Sequence, residues 1–232
     1  MTGKLTGVGV GPGDPELLTR RALRILGEAD RVVAPTTSPD EPGRAETVVL
    51  EALPGLAVTR LPFDMSLRDV PRLDAARPLV PWLDAGEHVA FVTLGDPNVY
   101  STFGAVARAL EVLGCPVDVA TVPGIMAFQE LAARSGTVLV DGIEGLSLVT
   151  ALDGVGHVAE ALEDPTRAVI VYKGGRHVPA IARLLADRGR LDGAVVGELL
   201  GLPGERIAAV DPSAAAASYL VAVIVPPAGR RG

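Results

Sequence analysis

The residues of this chain best suited to chemistry sit together in Leu94-Gly95-Asp96-Pro97-Asn98-Val99-Tyr100-Ser101-Thr102, directly after an apolar run at 88–92. They supply a carboxylate, a phenol, two hydroxyls and a backbone freed by glycine. Such a set can bind a polar small molecule, with the carboxylate of Asp96 and the hydroxyls of Ser101 and Thr102 as its candidate ligand groups. If 88–92 is a strand, this turn lies at its carboxyl edge, where open α/β sheets bind ligands. As plain structure, the same turn is an Asp cap with Pro fixing φ, and one hydroxyl caps the following helix.

Two further glycine turns have the same setting. Gly7-Val8-Gly9-Val10-Gly11-Pro12-Gly13-Asp14 is not a dinucleotide loop: a G-x-G-x-x-G spacing would need glycine where Pro12 or Asp14 stands. An acid at the start of a helix also repels a pyrophosphate. No Walker lysine is present, so a nucleotide triphosphatase is excluded. Pro123-Gly124-Ile125-Met126-Ala127-Phe128 opens a helix whose first amides can receive a carboxylate or ribose oxygen. Each turn alone is a weak signal; three of them, each after a strand and before a helix, are a much stronger one.

The elements that must position these turns alternate. Strands are expected at 5–10, 31–34, 58–61, 88–92 and 117–122. Asp14-Pro15-Glu16 reads as the N-cap of a helix carrying Leu18, Ala22, Ile25, Leu26 and Ala29 on one face. A helix at 45–53 follows a polar loop, and Pro71, Pro78 and Pro81 break or kink any helix at 70–84. Phe103, Val106, Ala107, Leu110 and Leu113 mark the helix after the opening motif. Beyond Pro123-Gly124 come a short helix at 127–134 and strand runs at 146–150, 168–172, 194–196, 206–210 and 220–225. Only 157–162 and 181–188 are helical between them. The expectation is an α/β protein of two α/β domains: 1–122 with a mostly parallel sheet and 123–232 with a mixed sheet, packed around a shared cleft.

Composition removes several classes. With 232 residues the chain can bury a substantial core. A net charge of −7 and a pI near 5.0 argue against nucleic acid as a partner, because phosphate binding needs a basic face. Cys115 is the single cysteine, so no intrachain disulfide or thiolate cluster can form. His88, His157 and His177 lack metal-ligand spacing, and no metal is expected. No apolar run is long enough to cross a bilayer and no signal-peptide core is present, which gives the expectation of a cytoplasmic protein without membrane partners. Lys4 and Lys173 are the only lysines; the remaining basic residues are arginines, suited to bidentate carboxylate recognition.

These three turns resemble the tetrapyrrole methylases, the S-adenosylmethionine-dependent class III methyltransferases of sirohaem and cobalamin synthesis. The resemblance runs from Gly7 through Asp14-Pro15-Glu16-Leu17-Leu18-Thr19 to the closing strand near Val225. Phe91-Val92-Thr93-Leu94-Gly95-Asp96-Pro97 leading into Tyr100-Ser101-Thr102, with Leu61-Pro62-Phe63-Asp64-Met65 upstream, is most similar to the branch that methylates C20 of precorrin-2 or cobalt-precorrin-2. The resemblance implies two α/β domains with the methyl donor in the cleft between them, S-adenosylhomocysteine as product, and a homodimer. It places Pro12, Leu94, Gly95, Asp96 and Val99 at the methionine and ribose end of the donor, and Lys173, Leu199 and Leu200 at the adenine. Met126 and Ala127 occupy a pair that usually includes Ser or Thr; without a hydroxyl, their contact falls to the backbone or to a neighbour.

The substrate so implied carries many carboxylates, and Arg20, Arg44, Arg68, Arg72 and Arg176 stand near predicted loops that can hold them. The implied chemistry is an in-line attack by the electron-rich C20 on the sulfonium methyl. Alignment at roughly 3–3.5 Å, with water excluded, supplies most of the rate. Asp96 or Tyr100 is the candidate base for the C20 proton. A sister methylase acting on uroporphyrinogen III or another precorrin keeps every donor motif. A diphthamide-type protein methylase or a ribosomal RNA methylase shares the fold; acidity opposes the RNA case and Tyr100-Ser101-Thr102 opposes both. A module that binds donor without turnover is the non-enzymatic alternative.

Overall fold

The computed structural model describes residues 2–38, 40–63, 72–213 and 215–229. The chain divides into two compact units, Met1–Met126 and Ala127–Gly232. The division falls just after Pro123-Gly124, one short turn beyond 122.

The first unit is built on five strands: β1 (Gly3–Gly9), β2 (Arg31–Thr36), β3 (Val58–Pro62), β4 (His88–Thr93) and β5 (Val117–Val122). Their order in the sheet is β3-β2-β4-β1-β5 and every pair is parallel. β1 and β4 are neighbours although far apart in the chain, so the turns leaving them emerge side by side at the carboxyl edge. This is the sheet position at which open α/β folds place ligands. The centre of the sheet is continuous apolar chain: Leu5, Val8, Val89, Ala90, Phe91 and Val92 are fully buried. Strands covered on both faces need no alternation.

The helices of this unit are α1 (Arg20–Glu28), α2 (Arg44–Ala52), α3 (Leu73–Ala76), α4 (Val80–Asp84) and α5 (Phe103–Val112). The first starts later than Asp14 suggests. Asp14 caps only a 3-10 turn, Pro15–Leu17, by accepting from Glu16 N at 2.8 Å. Leu18 is extended (ψ 133°), and Thr19 then caps α1, its Oγ1 accepting from Ala22 N at 3.1 Å. Two capping residues in tandem split what the apolar spacing joins into one helix. The proline-rich stretch is kinked as expected: α3, a 3-10 turn at Arg77–Leu79, and α4 follow one another, with Pro78 and Pro81 each in a first turn. Pro71, Asp64 and Met65 lie outside the described residues.

The second unit holds β6 (Gly145–Thr150), β7 (Arg167–Tyr172), β8 (Val195–Glu198), β9 (Arg206–Ala209) and β10 (Val221–Val225) in the order β6-β7-β10-β8-β9. Only β6 and β7 are parallel; the other pairs are antiparallel. Its helices are α6 (Ala127–Ser135), α7 (Gly156–Ala161) and α8 (Val178–Asp187). Side chains of β7 and β10 alternate between faces. Val169, Val171, Val221, Val223 and Val225 join Ile181 and Leu185 of α8 in one core. Ile170, Ala222 and Ile224 join Leu131 of α6 in another. Arg190, 7% exposed, donates through Nη2 to Pro226 O (2.8 Å) and Arg167 O (3.1 Å), tying the start of β7 to the end of its antiparallel neighbour β10. Among the described residues, no helix is long and apolar enough to cross a membrane, and no group of three or more His, Cys, Asp or Glu is placed to hold a metal ion.

Candidate active site

In the first unit the three glycine turns meet. Gly95 N donates to Gly11 O at 2.8 Å, and Val10 N donates to Thr93 O at 3.0 Å, so the chain leaving β1 and the chain leaving β4 stay hydrogen-bonded past the sheet. Gly11 (φ 79°) and Gly95 (φ 67°) take the left-handed conformation this crossing requires. The third turn closes on them. A Cβ on Gly124 would lie 2.1 Å from Gly95 O, and one on Gly9 would lie 2.6 Å from Gly124 N. Only bare backbone can pack so closely.

Asp96 ties the turns together. Its Oδ1 accepts from Asn98 N at 2.8 Å and its Oδ2 from Gly124 N at 3.1 Å. Asn98 Nδ2 in turn donates to Thr121 Oγ1 at 3.2 Å, near the end of β5. Ser101 Oγ accepts from Phe103 N and donates to Thr93 Oγ1, both at 3.1 Å, so this hydroxyl opens α5. Thr102 makes no such cap. Pro12 and Gly95 are buried, whereas Leu94, Asp96, Val99, Thr102 and Met126 are half-buried. The sulfur of Met126 lies 3.3 Å from where a Cβ on Gly95 would stand. Tyr100 is 45% exposed, and partial burial raises its hydroxyl above the ordinary tyrosine value. The hydroxyl therefore keeps its proton and is available as a hydrogen-bond donor.

The second unit carries its own cluster, at the ends of β7 and β8. Lys173 follows β7, Leu199 follows β8, and Lys173 Nζ stands 6.0 Å from the ring centroid of Tyr219. Leu199 is half-buried and Leu200 is buried. The irregular segment 217–220 before β10 is fastened here: Ala217 N donates to Gly175 O at 2.9 Å, Leu199 N donates to Leu220 O at 3.0 Å, and Ser218 N donates to Glu198 Oε1. Ala127 begins α6, where Phe128 N donates to the Tyr172 hydroxyl at 2.9 Å. Burial pushes that hydroxyl far above its ordinary value, so it remains a neutral acceptor.

Among the described residues, Tyr100 (φ 51°), Lys173 (φ 55°) and Leu199 (φ 53°) are the non-glycine residues with positive φ. Each costs about 1–2 kcal/mol relative to right-handed backbone. Strain of this kind gathers at functional sites, and each of the three is among the residues marked from the sequence, Tyr100 in the first unit and Lys173 and Leu199 in the second.

The Ser218 amide, assisted by Arg206, holds the Glu198 carboxyl below the ordinary glutamate value of 4.5. A depressed carboxyl adds stability that is complete above its unfolded value and is lost as pH falls through the folded one. The loss therefore begins below about pH 4.5 and continues as pH falls further. Thermal melts between about pH 3 and 6 should therefore show a shallower acid dependence for Glu198→Gln than for the wild type; identical slopes would refute the link.

The candidate substrate arginines fare differently. Arg20 and Arg44, the first residues of α1 and α2, are exposed, as is Arg176. Arg176 is nonetheless ordered, donating to Leu152 O and, through Nε, to His177 Nε2 at 3.0 Å. Arg72 is 4% exposed, with its guanidinium 5.4 Å from the Phe63 ring centroid, and so packs in the core rather than on a loop surface. Arg68 lies outside the described residues. Sequence reasoning did not mark Asn98, Thr121, Glu198 or Tyr219, whose partners are distant in the chain.

Residues 4–215 match the tetrapyrrole (corrin/porphyrin) methylases, and the chain belongs to that family. The cobalt-precorrin-2 C(20)-methyltransferase of Salmonella typhimurium is 31% identical over 211 residues, covering 89% of this chain and 87% of that protein. The precorrin-2 C(20)-methyltransferase of Sinorhizobium sp is 34% identical over 210 residues, covering 84% and 83%. The solved structure of uroporphyrin-III C-methyl transferase from Thermus thermophilus, complexed with S-adenyl homocysteine, superposes with a TM-score of 0.68. It is 24% identical, covers 96% of this chain and 97% of that one, and carries the likeness of fold.

Proposed function

We propose that this chain transfers a methyl group from S-adenosylmethionine to C20 of precorrin-2 or its cobalt form, in cobalamin biosynthesis. The reading is carried by its similarity to two C(20)-methyltransferases over more than four-fifths of each chain. Homodimeric assembly and a cytoplasmic setting go with it.

The donor set suits S-adenosylmethionine. Leu94, Val99 and Met126 offer half-buried apolar surface, and the backbone of two glycine turns offers polar groups without charge. When bound, the donor supplies a methyl already activated on a sulfonium. A weakly polar lining favours a reaction in which that positive charge disappears. We assign Pro12, Leu94, Gly95, Asp96, Val99 and Met126 to the methionine and ribose end, with Ala127 contributing backbone, and Lys173, Leu199 and Leu200 to the adenine end. Ser101 serves this site chiefly by opening α5, and Thr102 remains a candidate hydroxyl for the donor. Tyr100, as a phenol, donates toward the substrate. Arg20, Arg44 and Arg176 are the exposed cations assigned to substrate carboxylates.

Purified protein incubated with methyl-labelled S-adenosylmethionine and enzymatically made precorrin-2, with and without cobalt, tests the reading by mass spectrometry. One added methyl at C20 is expected, and the preferred metal state assigns the pathway. Donor binding with no transfer to either form, but transfer to uroporphyrinogen III or another precorrin, would move the function to a sister reaction.

A further inference from the structure

We propose that Asp96 serves this site as a positioning residue, not as the base, and that Asn98 and Thr121 share the task. Three hydrogen bonds carry the inference. Asp96 Oδ1 receives the Asn98 amide, Asp96 Oδ2 receives the Gly124 amide, and Asn98 Nδ2 reaches Thr121 Oγ1. Together they form a clamp across the carboxyl edge: the turn after β4 grips the end of β5 at Thr121 and the start of the next turn at Gly124.

The clamp acts where position matters most. Gly124 packs against bare backbone of Gly9 and Gly95, with no side chain able to adjust. The segment 124–126 is then set by two influences, close packing from beneath and the Asp96 carboxylate from the side. Only a carboxylate meets both amides, because it presents two acceptor oxygens and no N–H. An asparagine in its place must turn an NH2 toward one of the amides and lose that bond. Each Asp96 oxygen is already directed at an amide of its own scaffold, an arrangement suited to holding backbone rather than to meeting a substrate C–H. The Asn98 to Thr121 bond has no part in proton transfer and is explained only by the clamp.

The inference rests on the proposed methyl transfer for its kinetic readout and on donor binding alone for its thermodynamic one. The full-length chain is compared with Asp96→Asn, Asn98→Ala and Thr121→Val. Dissociation constants for S-adenosylmethionine are measured by calorimetry, and kcat, KM and the pH profile are measured with precorrin-2. Loss of one such hydrogen bond is worth about 2–10-fold. Each variant should therefore weaken donor binding by about 3–10-fold, raise the donor KM accordingly, lower kcat at saturating donor by less than that factor, and keep the acid limb of the pH profile in place. Asn98→Ala and Thr121→Val should be non-additive when combined, because they remove the same bond. The clamp is overturned if Asp96→Asn lowers kcat by about 100-fold or more, erases the acid limb and leaves donor affinity unchanged, as loss of a general base would. It is equally overturned if Asn98→Ala and Thr121→Val bind donor like the wild type. Weakened donor binding in all three variants, with no tetrapyrrole methylated by any protein, would sink the proposed reaction and leave the clamp standing.

Discussion

Gly124→Ala should remove most donor binding and lower Tm by about 5 °C or more. The added methyl would lie 2.1 Å from Gly95 O and 2.9 Å from the Gly9 backbone, contacts that no side-chain rotation relieves. Overpacking of this sort costs about 1–3 kcal/mol, and for a chain of this size each kcal/mol is worth about 2–4 °C. The functional loss should exceed the stability loss, because the backbone that must retreat carries the amide held by Asp96. Gly27→Ala is the control. Gly27 lies inside α1 with nothing within 4 Å of its missing Cβ, so alanine should stabilise by about 0.5–1 kcal/mol and leave donor affinity alone. Calorimetry with S-adenosylmethionine and thermal melts decide both; wild-type donor binding in Gly124→Ala would mean that the three turns do not share one packing unit.

Phe91→Ala should cost about 3–5 kcal/mol, among the largest losses any single truncation in the first unit can give. Phe91 is fully buried in β4 between Phe63, whose ring centroid is 6.2 Å away at an interplanar angle of 74°, and Phe103, at 5.9 Å and 50°. Edge-to-face pairs add to the burial itself. The chain has only four phenylalanines, so three of them meet at this one point of the core. Gly7 of β1 makes the room: a Cβ there would come within 2.8 Å of the Phe103 ring. Neighbours of this shape cannot fill the space that alanine leaves. Urea unfolding followed by fluorescence or circular dichroism should show the loss as a lower midpoint at unchanged slope. A loss below about 1 kcal/mol would mean that the cluster relaxes, and that the aromatic contacts do not organise β4.

Strands, helix faces and the three glycine turns were legible in the chain because they are local. Apolar runs, proline at a first turn and glycine at a left-handed bend each act within a few residues. Thr19 shows where local reading slips: two residues able to cap stood in succession, and the apolar spacing of Leu18 and Ala22 did not reveal that the helix begins only at the second. Of the site, Gly95, Asp96 and Gly124 were legible as separate turns, but their junction was not. It depends on β1 lying beside β4 and β5, a matter of topology rather than spacing. Tyr100, Lys173 and Leu199 were marked by resemblance, while their left-handed backbone was invisible, since that conformation is ordinarily announced by glycine or asparagine. Arg72 read as a cation for carboxylates; nothing in its neighbours signals that its guanidinium is buried against the ring of Phe63.

The sheet of the second unit has a consequence for the order in which it can be assembled. β10 is its last strand along the chain, yet it stands between β7 and β8 and hydrogen-bonds to both. Until residues 221–225 have been synthesised, β6–β7 and β8–β9 are two separate ribbons, each exposing an edge that lacks its partner. The unit therefore closes in one late step, by insertion of a strand at the centre rather than by growth at a margin. A chain cut short before Val221 would lose the keystone that joins its two halves, not a peripheral strand.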